Sequence, residues 1–297
     1  MSSKSTIKLP VTKVYATLCT DMADELAVEE PLEIRLVHGA PPERRIQNIS
    51  VTMRTPGNDP ELAAGFLFTE GIISKVSDID QINHTATVCS ENRENVITVT
   101  LKEDIVPQLK NMERNFYTTS SCGVCGKGSI DAIRTVSIYG DVEDHILIDS
   151  EILHSLPDTL SHHQDVFSIT GGLHACALFS TSGNLLMVRE DVGRHNALDK
   201  LIGTALNHGL LPLTDNVLLL SGRASFELVQ KAAMAGICVI AAVGAPSSLA
   251  VELATEFNIT LIGFLRNHRF NIYTAPHRVV LQSNKIANSP FKHIHNH

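Results

Sequence analysis

Two cysteines three positions apart, Cys122 and Cys125, sit in the run Ser120-Ser121-Cys122-Gly123-Val124-Cys125-Gly126-Lys127-Gly128-Ser129. Glycine gives up more backbone freedom on folding than any other residue, so a thiol pair among these glycines predicts a mobile or open loop. The thiolate is the reactive form of cysteine, and cations and helix N-termini favour it. Lys127 follows Cys125 closely, and the run from Ser129 to Ile133 reads as a helix opening with Ser129 as its cap. Such a pair is suited to exchange sulfur or to close a disulfide. Three chemistries share the spacing. One is half of a zinc site, which takes about four ligands. Cys19, Cys89, Cys176 and Cys238 are each isolated, however. The H-x-E and P-C-x-x-C pattern of zinc deaminases is also missing, with Ser121 where the proline would stand. The second is a dithiol–disulfide redox pair of the thioredoxin type. The third is a single-thiol carrier that the second cysteine assists.

Two further groups have the chemistry of a site. Arg189-Glu190-Asp191-Val192-Gly193-Arg194-His195-Asn196 is dense in acids, bases and hydrogen-bonding groups, and a helical stripe of Leu198, Leu201, Ile202 and Ala205 follows it. A solvated helix start is the plain alternative. Upstream, His174 and Cys176 are metal ligands by type, but two residues do not complete a site. The second group is three loops, Ser221-Gly222-Arg223, Gly244-Ala245-Pro246-Ser247-Ser248 and Arg266-Asn267-His268-Arg269. The first two lead into helix N-termini, whose N–H groups favour phosphate. Arg223, Arg266 and Arg269 add forks that match phosphate oxygens. Neither the Walker spacing nor G-x-G-x-x-G occurs, so ordinary P-loop or dinucleotide chemistry is not expected.

The elements that must position these groups differ between the two halves. Towards the C-terminus, Val217–Leu220, Ile237–Val243 and Ile259–Phe264 are continuous apolar strands. Helices over Ala224–Ala235 and Leu249–Phe257 alternate with them, capped by Ser247 or Ser248 in the second case. Alternation of this kind implies βαβ units, a parallel sheet and helices on both faces. In an open parallel sheet the carboxyl ends of the strands form the ligand crevice, so the three loops are expected to share one edge. Asp165–Thr170 reads as a strand, and Ala177–Phe179 with Leu185–Val188 as a hairpin. Towards the N-terminus the first ten residues are polar and read as loose. Pro31–Val37 and Ile46–Met53 read as strands. A helix follows with Asp59 as cap, Pro60 at its first position and Gly71 at its end. Ile79–Lys102 holds two strands, and Ile105–Arg114 a short helix. Arg54 stands at a strand end before a glycine turn. Cys89 and Cys238 read as buried core residues.

The chain has 297 residues, a net charge of −8 and a 43% hydrophobic share. That suffices for a real core and argues against broad binding to nucleic acid. Six cysteines in so long a chain do not make a disulfide scaffold. No signal peptide or membrane span is legible. The expectation is a soluble cytoplasmic protein with reduced thiols. The C-terminal His293, His295 and His297 read as a loose end rather than a metal site.

The runs Ser121-Cys122-Gly123-Val124-Cys125-Gly126, Gly171-Gly172 with His174, Glu190–Lys200 and Phe264–Tyr273 together resemble those of the formate dehydrogenase accessory sulfurtransferase family, FdhD. The resemblance extends roughly from Asp59 to Thr274. It implies a sulfurtransferase that takes sulfur from a cysteine desulfurase as a persulfide on Cys122, with Cys125 assisting. The acceptor would be the molybdenum cofactor in its bis-molybdopterin guanine dinucleotide form, needed for formate dehydrogenase. GDP would mimic that ligand. The resemblance also implies a cofactor site at Phe264, Leu265, Arg266, Asn267, His268 and Arg269, joined by Arg223, Ser221, Gly222, Gly244 and Ser247. Asn267 stands where relatives often carry glycine. His174, Glu190, Asp191, Arg194, His195 and Asn196 would surround the cavity. A homodimer is implied, as is an α/β architecture: a C-terminal three-layer αβα domain (130–297) of the cytidine-deaminase-like fold, a smaller N-terminal α+β domain (1–120), and the cysteine loop (121–129) between them. The competing readings are a dithiol oxidoreductase and a non-catalytic cofactor-delivery chaperone.

Overall fold

The computed structural model describes residues 5–85, 94–109, 139 and 146–281. Cys89, Cys122, Cys125 and the three C-terminal histidines lie outside these residues. The chain opens with a two-stranded ribbon, β1 (Thr6–Tyr15) paired antiparallel to β2 (Leu18–Ala27). This corrects the expectation of a loose N-terminus. Ile7, Leu9 and Val11 alternate with Lys8, Pro10 and Thr12, and that period-two pattern sustains ten paired positions.

Next come β3 (Glu30–His38), β4 (Arg45–Arg54), helix α1 (Asp59–Thr69), β5 (Ile79–His84) and β6 (Val96–Leu101). The strands form one sheet in the order β4-β3-β6-β5, with β3 and β6 parallel and the other neighbours antiparallel. Leu32, Ile34, Leu36, Ile97, Val99 and Leu101 share a cluster with Leu62, Leu67 and Phe68 of α1. The helix begins one residue earlier than expected, with Asn58 as the cap in the left-handed region. Asp59 is taken by another partner. Arg54, fully buried, grips it through Nε–Oδ1 (3.0 Å) and Nη2–Oδ2 (2.9 Å). Arg54 is therefore the clamp on the start of α1. Of the helix expected over Ile105–Arg114, residues 105–109 are not helical, and 110–114 lie outside the described residues. Pro107 disfavours the helical region for Val106, and the Gln108 N–H is used on Ile72 O.

The second half contains β7 (Ile148–Asp149), α2 (Ser150–Ser161), α3 (Asp165–Thr170), β8 (His174–Ser180), β9 (Leu185–Asp191), α4 (Arg194–Asn207), β10 (Asn216–Leu220), α5 (Phe226–Met234), β11 (Val239–Ala242), α6 (Ser248–Glu256), β12 (Thr260–Arg266), β13 (Arg269–Ile272) and β14 (Val279–Val280). Six strands make a sheet in the order β13-β12-β11-β10-β8-β9. Only β10, β11 and β12 are parallel to each other, so the sheet is mixed where a parallel one was expected. Side chains alternate across it. Leu218 and Leu220 join the cluster beneath α4, α5 and α6, whereas Val217 and Leu219 join Leu153, Leu156 and Leu160 of α2. Helices thus cover both faces.

Two expectations fail here for clear reasons. Asp165–Thr170 is helical rather than extended. The Glu190 carboxylate accepts from the Val166 and Phe167 N–H groups at 3.0 and 2.9 Å, satisfying the donors that a short helix leaves open. Gly171, at φ 66°, then ends it. Cys238 is only half-buried, just before β11, with its Sγ 3.7 Å from Gly236 O.

The two sheets meet through α1 and α4. A Cβ on Gly65 would fall 1.9 Å from Asp199 O, and one on Gly203 equally close to Glu61 O. The two helices therefore touch backbone to backbone. Beside this crossing, buried Lys231 of α5 donates to Asp199 Oδ2 (2.9 Å), Thr69 Oγ1 (2.9 Å) and Glu70 Oε1 (3.3 Å). One network ties α1, α4 and α5.

Candidate functional site

The three loops do meet at the carboxyl ends of β10, β11 and β12, and backbone pairing continues past the strands to hold them. Gly244 N–H donates to Gly222 O (2.9 Å), Ser247 N–H to Ala224 O (3.0 Å) and Phe264 N–H to Gly244 O (3.0 Å). Gly244 is required for this approach, since a Cβ there would lie 2.9 Å from Arg223 N and 3.0 Å from its Cα. Arg223, Arg266 and Arg269 are exposed and make no ion pair among the described residues. In a chain of net charge −8 they form a local cationic rim. Ser247 caps α6 by accepting from Ala250 N–H (3.3 Å).

The turn of the β12–β13 hairpin explains its sequence. Asn267 and His268 both lie in the left-handed region, at φ 52° and 53°, between the paired residues Arg266 and Arg269. Two such residues make the turn whose twist suits a hairpin. Asparagine tolerates this region far better than most residues, so Asn267 keeps the backbone shape that a glycine would give. Leu265, fully buried in the core of the sheet, cannot face the rim, whereas Phe264 is half-buried. His154 of α2 stands beside the hairpin, its ring 5.7 Å from that of His268.

Because β8 runs antiparallel to β10, its start lies beside the end of β10, with Cys176 paired to Leu220. Ser221 N–H donates to Ala175 O (3.0 Å), and Ala175 N–H to Ser221 Oγ (2.9 Å). His174 is thereby brought next to Gly222, with a Gly222 Cβ position 3.5 Å from its Nδ1. Burial and the neighbouring Arg194 and His195 hold the His174 pKa below its ordinary value, so it stands neutral near pH 7. Burial, with Asp199 and Asp191 nearby, pushes the Cys176 thiol far up, as suits a core residue.

The charged cluster divides into two sets. Asp191, fully buried, accepts from Thr55 N (3.1 Å), Gly193 N (2.8 Å), Asn196 Nδ2 (3.0 Å) and Lys200 Nζ (2.8 Å). Asn196 also donates to Met53 O (2.8 Å) and accepts from Thr52 Oγ1 (3.1 Å). With Glu190 capping α3, these three side chains hold elements together. The cluster is no solvated helix start. Arg194 and His195 lie half-buried at the rim. His195 Nε2 is 2.8 Å from Glu227 Oε2 and 3.4 Å from Ser225 Oγ. Ser225 and Glu227 were not singled out in the sequence. Their signal, a serine and an acid opening a helix, reads equally as ordinary capping. Ser225 nevertheless forms no side-chain cap bond and turns to His195 instead.

The rim thus joins arginine forks, two helix N-termini, a neutral imidazole and a carboxylate-held imidazole along one sheet edge. Such an arrangement suits a phosphorylated anion. Among the described residues no cluster has the ligands for a metal ion, and no helix is long and apolar enough to cross a membrane.

Comparison with known proteins gives a consistent picture. The FdhD/NarQ family profile matches residues 27–280. A protein of Streptomyces avermitilis named "Sulfur carrier protein FdhD" is 52% identical over 263 residues, 88% of this chain and 90% of that protein. One of Mycolicibacterium paratuberculosis with the same name is 52% identical over 272 residues, 91% of this chain and 97% of its own length. The crystal structure of a proposed formate dehydrogenase accessory protein from Desulfotalea psychrophila superposes with a TM-score of 0.69 at 25% identity. It covers 93% of this chain and 100% of its own.

Proposed function

This chain belongs to the FdhD/NarQ family, and from that premise we propose that it is a sulfur carrier accessory to formate dehydrogenase. In finer terms it is a sulfurtransferase that moves sulfur as a cysteine persulfide from a cysteine desulfurase to bis-molybdopterin guanine dinucleotide, in the cytoplasm. The reading carries with it a cytidine-deaminase-like αβα layering without deaminase chemistry.

The observation that carries the reading is the rim. Among the described residues Arg223, Arg266 and Arg269 have no acidic partner, and Gly222, Gly244 and the turn at Asn267–His268 let backbone come close. A ligand with phosphates bridging two nucleoside-like ends finds oxygens matched there by forks and helix ends. His174, Arg194 and His195 continue the same edge towards the reacting end. His195, oriented by Glu227, is the group that handles a proton there.

In the transfer step, the Cys122 thiolate attacks the terminal sulfur of the donor's persulfide. A new S–S bond forms on Cys122, the donor's S–S bond breaks, and the donor leaves as thiolate, so no external oxidant is needed. The experiment is intact mass measurement after incubation with a desulfurase and cysteine. A gain of one sulfur atom, lost in Cys122→Ala, is expected. A wild-type chain that gains no sulfur, or loses only two hydrogens, overturns the carrier reading. Equal gain in Cys122→Ala overturns the assignment of Cys122.

A further inference from the structure

Two imidazoles share the rim, and their bonds differ. His195 is the second residue of α4 and Glu227 the second of α5. Their Nε2–Oε2 contact, at 2.8 Å, is a hydrogen bond when the imidazole is neutral and an ion pair when it is protonated. In both forms Nε2 keeps its hydrogen on the carboxylate. A proton is therefore gained or lost at Nδ1 alone, because the bond made by one ring nitrogen sets the state of the other. Ser225 Oγ lies 3.4 Å from the same Nε2. That nitrogen already bears hydrogen, so the serine cannot pass its own proton there. In a serine–histidine–acid triad the acid and the serine sit on opposite nitrogens, and this trio is not wired as one.

Glu227 is placed for that contact and for little else. Its carboxylate has no other partner among the described residues, and Oε1 is buried without one. Asp191, by contrast, takes four donors and Glu190 two. A buried acceptor without a bond carries a desolvation cost, so a carboxylate kept for folding alone would have both oxygens bonded.

His174 has different surroundings. Its Nδ1 lies against Gly222, and burial, Arg194 and His195 together keep the ring neutral near pH 7. The acid nearest to it, Asp191 of β9, is already paired with Lys200 at 2.8 Å. Glu227 from α5, Arg194 from α4, His174 from β8 and Asp191 from β9 are thus the charged and titratable groups around His195.

We propose that Nδ1 of His195 is the one proton-carrying atom of this edge, that Glu227 is the positioning residue that makes it so, and that His174 acts only as a neutral hydrogen-bonding group. The chemistry at Nδ1 rests on the sulfur-carrier reading. The S–H bond of a bound thiol or persulfide breaks with its electron pair left on sulfur, Nδ1–H forms, and Glu227 balances the imidazolium. The proton is later returned to the departing thiolate.

The test is imidazole nitrogen-15 NMR of the full chain. The His195 signals, among those of fourteen histidines, are assigned by their loss in His195→Asn. In the neutral ring of wild type, Nε2 is expected to carry the hydrogen and Nδ1 to be bare. His174 should keep the signals of a neutral ring through pH 7. Glu227→Ala should average the two His195 tautomers. It should also lower the formate dehydrogenase activity of cells that depend on this chain about tenfold or more, part of what a positioned acid–base group contributes. Its urea midpoint should match or exceed that of wild type, since an unbonded buried oxygen leaves with the side chain. A His195 tautomer unchanged in Glu227→Ala overturns the proposal. So does full activity in that variant, or a His174 that protonates before His195. The tautomer is read without sulfur loading, so a chain that gains no sulfur in the mass measurement removes the carrier reading while the NMR still decides this one.

Discussion

Arg223, Arg266 and Arg269 differ from the other charged groups near the rim in what they lack. Asp191 has four donors within 3.1 Å, and Glu190 and Asn196 are spent on neighbouring backbone. Substituting those three would loosen the fold and would be a poor probe of binding. The arginines are exposed and make no ion pair among the described residues. Arg223→Ala and Arg266→Ala are each expected to weaken GDP binding about tenfold or more, as loss of a charge-assisted hydrogen bond does. Unfolding temperature should stay within a degree or two of wild type, and calorimetry reads both quantities. Equal GDP affinity in both variants would move the ligand away from this edge.

At the scale of elements, the glycines decide how closely the site's pieces approach. Gly244 lets the loop after β11 lie against Arg223, with no room for a Cβ. Gly244→Ala should part the two loops and reduce GDP affinity more than either arginine change, with circular dichroism largely retained. The contrast is Gly65, where α1 meets Asp199 backbone. Gly65→Ala forces the two helices apart, an overpacking cost of about 3 kcal/mol, read as a lower denaturation midpoint. Sequence reading placed α1, α4, α5 and α6 because each presents a core stripe or lies between buried strands. It misplaced α3, where Val166, Phe167 and Ile169 look like a strand. Helix preference is a weak prior, and here a carboxylate from β9 supplies the cap.

Across the whole molecule, the core is continuous from Leu32 in the first sheet to Leu261 in the second. The Lys231–Asp199–Glu70 network lies inside it. Burial works against the Lys231 charge, but Asp199 and Glu70 outweigh it and hold its pKa above 10.5. A folded pKa above the unfolded one gives stability that is complete below about pH 10.5 and lost as the pH climbs through the folded value. Lys231→Met should cost about 3 kcal/mol or more at pH 7, because it leaves Asp199 buried without its cation. It should also flatten the alkaline loss of stability seen in urea titrations. A variant as stable as wild type would show that packing alone joins the two sheets.

The amino-acid sequence by itself determined the strands and helices that are buried on a regular period, the gathering of three anion-suited loops at one sheet edge, and the family. These are local signals, carried by neighbours in the chain. The tertiary structure alone decided which charged residues remain free to meet a ligand. Glu190, Asp191 and Asn196 looked as available as His195, but their partners are α3, Thr55, Lys200 and β4. Glu227 emerged only because antiparallel β8 and β9 bring the start of α4 beside the start of α5. A hydrogen bond needs about 3 Å between atoms, and residues as far apart as Glu190 and Val166 or Asn196 and Met53, 24 and 143 positions, reach that distance only once the sheets have packed.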